Sequence, residues 1–224
     1  MFQQRPEPLL IFPCNGNAIE ALDCLGTGHR FIGFIDDAPE KQGMEKHGHR
    51  ILARTALNDS PDARLLAVPG SPTSYQSRKQ IIGGLGVPAN RFTSVIHPSA
   101  RISPSATVGY NVLIMAGVVV TSNAVISNHV CILPNTVIHH DVVIGEWTLI
   151  GSNVTIAGGT IVGDNCYIGS GSSIMNGLQI GSGALVGLGS NVIRNVQANA
   201  KVVGNPARDL AGRTGSTDRE DRQR

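Results

Sequence analysis

No apolar run in this chain approaches the roughly 18 residues that cross a bilayer as a helix, so a membrane-spanning helix is excluded. The first ten residues include Arg5, Glu7 and two prolines, which do not make a signal peptide, and a cytoplasmic protein is expected. Charge is also scarce. Only 15% of the residues are charged and the formal net charge is +2. That leaves neither the basic stripe that follows a nucleic acid nor the polybasic run that holds a membrane surface. Cys14, Cys24, Cys131 and Cys166 show no Cys-x-x-Cys spacing. A zinc knuckle and a disulfide framework are therefore excluded, and reduced, mostly buried thiols are expected. A chain of 224 residues can form two modest cores.

What the chain does have is a beat of six. Counting by sixes from Ile96 through Ile102, Val108 and Ile114 to Val192, all seventeen slots are Ile or Val. Neither the 3.6 period of a helix nor the 2 of a flat strand fits this, but a short strand followed by a corner, repeated, does. Three residues after each aliphatic comes a slot running from Ser99 and Ser105 through Asn111, Gly117 and Asn123 to Gly189 and Asn195, mostly Gly, Asn or Asp. These residues tolerate a left-handed backbone, so this slot is the corner. His129 and Trp147 are its two bulky exceptions, either exposed rings or rings packed on a neighbouring subunit or ligand. The next slot is small or β-branched (Val112, Ala124, Thr136, Thr148, Thr160, Ser172), which suits a second, tighter inward row. Three sixes per turn would give a triangular prism of parallel strands with about five stacked coils.

In front of the repeat, residues 9–12 read as a strand broken by Pro13-Cys14-Asn15-Gly16. A helix follows, capped by Asn17 with Glu20 three residues on and ended by Gly26 or Gly28. Residues 31–35 form a second strand ending at Asp36-Asp37. Residues 65–68 form a third ending at Pro69-Gly70-Ser71, and a helix is expected over 74–85. Alternating strands and helices make a small parallel, Rossmann-like sheet. Its ligand would sit beyond the strand ends, at Asn15, Gly16, Asn17, Asp36, Asp37 and Gly70. Gly-x-Gly-x-x-Gly is absent, with Pro13 in the first glycine's place, which speaks against a dinucleotide. A nucleotide or sugar held by the turn amides and the acidic pair fits better, the alternative being that the two aspartates simply end a strand in solvent.

The repeat resembles the left-handed parallel β-helix of the hexapeptide-repeat acyltransferases. The narrower likeness is to sugar acetyltransferases of the sialic-acid O-acetyltransferase and bacillosamine or perosamine N-acetyltransferase group. It is carried by Phe34-Ile35-Asp36-Asp37, Ile96-His97-Pro98-Ser99-Ala100, Val137-Ile138-His139-His140-Asp141 and Gly204-Asn205-Pro206-Ala207-Arg208. The expected organisation is an α/β domain over 1–95, an all-β left-handed helix with a terminal cap over 96–210, and a disordered tail over 211–224, which has little apolar to bury.

Acyl transfer needs a base for the nucleophile's proton and a donor for the oxyanion. The resemblance makes His140 that base, with Asp141 at a corner to orient it, while His139 should point elsewhere because neighbours on a strand alternate. It implies trimers, with acetyl-CoA as co-substrate in a groove between prisms at positions matching Leu149, Gly158, Ser170 and Leu188, and no metal. Leu149 departs from the histidine of some relatives, which leaves the oxyanion donor open with the Gly158 amide as the candidate, and residues 13–17 depart from the family's Gly-x-x-Gly-His. The implied acceptor is a nucleotide-linked amino sugar, with O-acetylation of a sialic-acid-like sugar as the alternative. Two other classes stand beside these. A zinc lyase on the same prism would need His129, His139 and His140 to converge, and a scaffold protein would have lost the activity.

Overall fold

The structure is a computed structural model that describes residues 5–211; all but the first residue of the expected tail lies outside them. The front domain is a five-stranded sheet of β1 (Glu7–Phe12), β2 (His29–Ile35), β3 (Glu45–Lys46), β4 (His49–Leu52) and β5 (Arg64–Ala67), in the order β3-β4-β2-β1-β5. All neighbours are parallel except the β3–β4 hairpin. β1 lies at the centre, and Leu9, Leu10 and Ile11 are wholly buried, as an uninterrupted apolar run on a strand covered on both faces should be. The hairpin was not anticipated. It turns at His47 and Gly48, both with positive φ, and β4 extends the parallel sheet beyond β2.

Two helices are shorter than their pattern suggests. The first runs Gly16–Glu20 and tightens into a 3-10 turn over Ala21–Cys24, and the second is Arg78–Gly83 after a 3-10 turn at Tyr75–Ser77. The cap of the first is Asn15 rather than Asn17: the Asn15 Oδ1 accepts the Ala18 amide at 2.9 Å. Its Nδ2 also donates to the Val68 carbonyl at 3.1 Å, a second bond that lies on the far side of a turn and leaves no trace in local spacing.

From Val95 the chain coils. Two-residue strands follow one another every six residues, and each pairs in parallel with the strand eighteen residues on, as Val119 with Val137 and Ile138 with Ile156. The first face of the prism begins at Arg101–Ile102, the second at Thr107–Val108 and the third at Leu113–Ile114, which pairs back to Val95–Ile96. The aliphatic slot points inward, and from Ile114 to Val192 its residues are at most 2% exposed, each contributing about 1.5–3 kcal/mol by leaving water.

The corners fall where the spacing puts them. Asn111, Asn123, His129, Asn135, Asp141, Trp147, Asn153 and Asn165 all have φ between 54° and 65°, and the corner glycines from Gly117 to Gly189 are likewise positive. Ser99, Ser105 and Asn195 are not. At the first two the turn closes by main-chain bonds from Ala100 to His97 and Ala106 to Ser103. Around Asn195 the coil runs two residues short: Leu185 pairs with Lys201, sixteen on, and the next corner, one coil on from Gly183, falls at Asn199 with φ 59°.

The second inward row has a polar purpose. Thr136, Thr148, Thr160 and Ser172 are fully buried, and their hydroxyls donate at 2.8–3.1 Å to the carbonyls of Gly151, Gly163, Met175 and Gly187. Main-chain groups that the corners would orphan are thereby satisfied. At the far end Lys201–Val203 and Arg208–Asp209 pair antiparallel, and the Ala207 amide bonds Asn191, so residues 204–207 lie over the last strand.

The two domains share a core on the third face. Its outward residues Leu113, Cys131, Leu149 and Tyr167 pack with Leu9, Ile11, Ala18 and Phe34. All four cysteines are free and buried.

Candidate active site

The edge between the first and second faces carries the dyad. Asp141 is its corner residue, so the backbone reverses there and both side chains stand in solvent, 64% and 56% exposed. His140 Nδ1 lies 2.8 Å from Asp141 Oδ2. A carboxylate only accepts, so Nδ1 carries the proton and Nε2 is the bare nitrogen of the neutral ring. The second carboxylate oxygen accepts the Asn123 Nδ2 at 3.1 Å. Hydrogen bonds from His140 and Asn123 together hold the Asp141 carboxyl below the usual carboxylate range.

Gly158 lies one coil on from His140, under the ring. A Cβ there would stand 2.5 Å from both Cε1 and Nε2, so only glycine lets the imidazole rest on the coil. At some corners of the other edges the amide before the corner is bonded by a side chain one coil on: Glu146 N to Asp164 Oδ1 at 2.8 Å, Asp164 N to Ser182 Oγ at 3.2 Å and Ser152 N to Ser170 Oγ at 3.0 Å. The Gly158 amide has no acceptor among the described residues. A bare ring nitrogen and a main-chain donor thus sit together on this edge.

The other anticipated donor positions are not gathered here. Ser170 and the 71%-exposed Leu188 lie on the edge between the third and first faces, across the first face from His140. Leu149 is buried on the third face beneath the front domain, only 3% exposed. His139 is half-buried on the first face.

The rim of the front sheet does come together: Asn15 reaches Val68, and the Cys14 amide reaches Asp36 Oδ2 at 3.1 Å. Its carboxylates are engaged within the chain. Asp36 is buried and also takes the Ala38 amide at 3.0 Å and Lys41 Nζ at 2.9 Å, while Asp37 is bidentate with Arg54. Gly16 and Asn17 open the short helix. Gly70 is needed for another reason: its φ is +120° and a Cβ would meet Arg78 Cδ at 3.0 Å. This rim belongs to the domain packed on the third face, and the His140 edge is the one edge that does not border that face.

His129 and Trp147 are not exposed rings; they lock the front sheet to the prism. The rings stack at 3.8 Å with 7° between planes. Asn111 holds both the amide and the carbonyl of Ala67 and donates to His129 Nδ1 at 2.8 Å. Fully buried Arg78 donates to the carbonyls of Trp147 at 2.8 Å, His129 at 2.6 Å, and Pro69. Burial brings its pKa down to about 10. No sequence pattern marked Arg78, because its partners are carbonyls, which every residue has. His129, His139 and His140 do not converge, and no three potential metal ligands cluster among the described residues. A cleft of about 560 Å³ beside the lock, lined by Lys79, Glu146, Trp147 and Asp164, holds none of the anticipated site residues.

Among known proteins, the bacterial transferase hexapeptide family (six repeats) matches residues 123–158, and the hexapeptide repeat of succinyl-transferase matches 141–176 and 159–193. No curated protein matches by sequence. Solved structures match over nearly the whole chain. A perosamine N-acetyltransferase from Caulobacter crescentus, with a histidine replaced by asparagine and in complex with CoA and GDP-perosamine, has a TM-score of 0.81 at 23% identity, covering 92% of this chain and 97% of that one. The acetyltransferase domain of PglB from Neisseria gonorrhoeae has 0.79 at 25%, covering 92% and 100%. WeeI from Acinetobacter baumannii has 0.77 at 24%, covering 91% and 99%. By its repeat and its fold, a left-handed parallel β-helix behind a small α/β region, the chain is similar to the hexapeptide-repeat acyltransferases and is built as the PglB acetyltransferase domain is.

Proposed function

We propose that this chain transfers the acetyl group of acetyl-CoA to the amine of a nucleotide-linked sugar, with His140 as general base. The carrying observation is the dyad itself: Nδ1 tied to Asp141 at 2.8 Å and Nε2 left bare above Gly158. In the reaction the amine nitrogen attacks the thioester carbonyl and Nε2 takes its proton. The negative oxygen accepts a hydrogen bond from the Gly158 amide. Collapse breaks the carbon–sulfur bond, and the imidazolium returns the proton to the thiolate, giving the N-acetyl sugar and free CoA.

The arrangement within one chain favours assembly. The front-domain rim and His140 lie on opposite sides of the prism, so an acceptor held at that rim would meet the base of another copy. The two faces without a front domain carry exposed Val125, Ile161, Met175 and Ile193, apolar residues suited to contact between prisms. A homotrimer would set the His140 edge of one copy near the Ser170–Leu188 edge of the next and form the acetyl-CoA groove between them. Nitrogen rather than oxygen acceptance is favoured by the perosamine enzyme, an N-acetyltransferase crystallised with GDP-perosamine.

The test is thiol release from acetyl-CoA with a panel of nucleotide-linked amino sugars and sialic acids, run beside His140→Ala. An amino-sugar acceptor is expected to turn over, and the variant to lose at least about a hundredfold, the scale of a general base. Equal rates would remove His140 from the reaction, and turnover of sialic acids alone would make the transfer an O-acetylation.

A further inference from the structure

We infer that Asn123 is a positioning residue for the base: from the preceding coil its carboxamide fixes Asp141, and through Asp141 it sets which nitrogen of His140 is bare. The inference rests on the reading of His140 as the base. Its starting point is how little else holds the dyad. Both side chains are more than half exposed, and an exposed ion pair alone barely offsets the entropy of fixing two side chains. Gly158 supports the ring from one side, but leaves it free to present either nitrogen.

Asn123 supplies the missing constraint. Its Nδ2 bonds Asp141 Oδ1 at 3.1 Å, which turns Oδ2 toward His140 Nδ1 at 2.8 Å. Its own frame is firm, because its amide donates to Ser105 Oγ at 3.1 Å and its backbone sits in the left-handed corner with φ 60°. The corner geometry does not itself require asparagine, since the same edge uses glycine at 159 and 177. Of the corner residues from 105 to 177 on this edge, Asn123 alone combines an N–H donor with contact to the carboxylate: Gly159 and Gly177 have no side chain, and Ser105 lies a coil further away. The carboxamide is therefore spent on Asp141 rather than on the fold. The hydrogen bond also favours the ionised carboxylate, the form that can accept from Nδ1.

Asn123→Gly tests this on the full chain, because glycine keeps the left-handed corner and deletes only the carboxamide. Histidine-selective nitrogen NMR, which needs no acceptor, should find His140 as the Nδ1–H tautomer in the native protein and show an Nε2–H fraction in the variant. With an acceptor present, kcat should fall about tenfold, the lower end for loss of a partner that orients a functional group, while the KM for acetyl-CoA stays within about twofold. Added to Asp141→Asn, the change should cost nothing more, since its effect runs through that carboxylate. An unchanged tautomer and kcat in Asn123→Gly, with His140→Ala inactive, would overturn the inference and leave the base standing. Additive losses in the double variant would also overturn it. Native rates in His140→Ala would instead remove the base reading, and the tautomer measurement would still decide whether Asn123 orients the ring.

Discussion

His129 and His140 lie eleven residues apart on neighbouring edges of one prism and hold opposite tautomers. His129 is 4% exposed; its Nδ1 accepts from an amide nitrogen that can only donate, so its proton is on Nε2. His140 is in solvent, and its Nδ1 donates to a carboxylate. Burial, and then the Arg78 cation, bring the His129 pKa down to about 4, keeping the ring neutral. A histidine becomes a girder or keeps a nitrogen bare in solvent according to what faces its ring: a cation and a roof in one case, an anion and open water in the other. The repeat supplies both edges alike, and the front domain makes the difference by covering one of them.

The strongest way to break this contrast is to remove the roof's anchor. Arg78→Met deletes every donor to the carbonyls of Pro69, His129 and Trp147 at the buried lock. Each buried group left unpaired costs about 1–3 kcal/mol, so a loss of about 3–5 kcal/mol in unfolding free energy is expected by denaturant titration. Amide exchange should rise first at the domain boundary, while the coil beneath the His140 edge stays protected.

The next largest effect comes from acid. Because the His129 pKa is about 4 in the folded state against about 6.5 unfolded, the unfolded chain binds the extra proton between those values. Stability is then full above about pH 6.5 and falls as pH drops toward 4, by on the order of 3 kcal/mol. His129→Asn keeps the left-handed corner and should flatten that part of the pH–stability curve. If the variant's curve has the native slope, another group carries the acid sensitivity.

How much of this could be read from residues alone depends on whether a feature repeats. The aliphatic beat and the Asn, Asp and Gly corners recur every six residues, so the coil, its corners and its inward rows were legible. The repeat put Asp141 in a corner slot, but only the family resemblance singled out His140 beside it. Features made by long-range contacts were not legible. Asp36 looks like an open acceptor until Lys41 and two amides are found on it, Asn15 looks like part of a turn until Val68 is found across the rim, and Leu149 looks like a surface position until the front domain is laid over it. The hairpin at His47-Gly48 escaped because two short strands leave no alternating pattern to count. The shortened last turn escaped because the beat had already faded.

Gly158→Ala sharpens the contrast from the other side, with a smaller effect and without touching a polar group. The position has ordinary φ, so alanine suits the backbone, but its Cβ would overlap the His140 ring. That ring is exposed and can swing away at little cost. Stability should therefore move by no more than about 0.5 kcal/mol, as at other surface sites. The displaced Nε2 should nonetheless cost about tenfold or more in kcat, because a shift of about an ångström is enough to spoil a reactive geometry. At the His129 edge the same crowding could not be relieved, since Trp147, Asn111 and Arg78 surround that ring. Gly158→Ala with native turnover would mean that His140 works from a position the free chain does not hold. Turnover lost together with stability would mean that this edge is as much a part of the frame as the one the front domain covers.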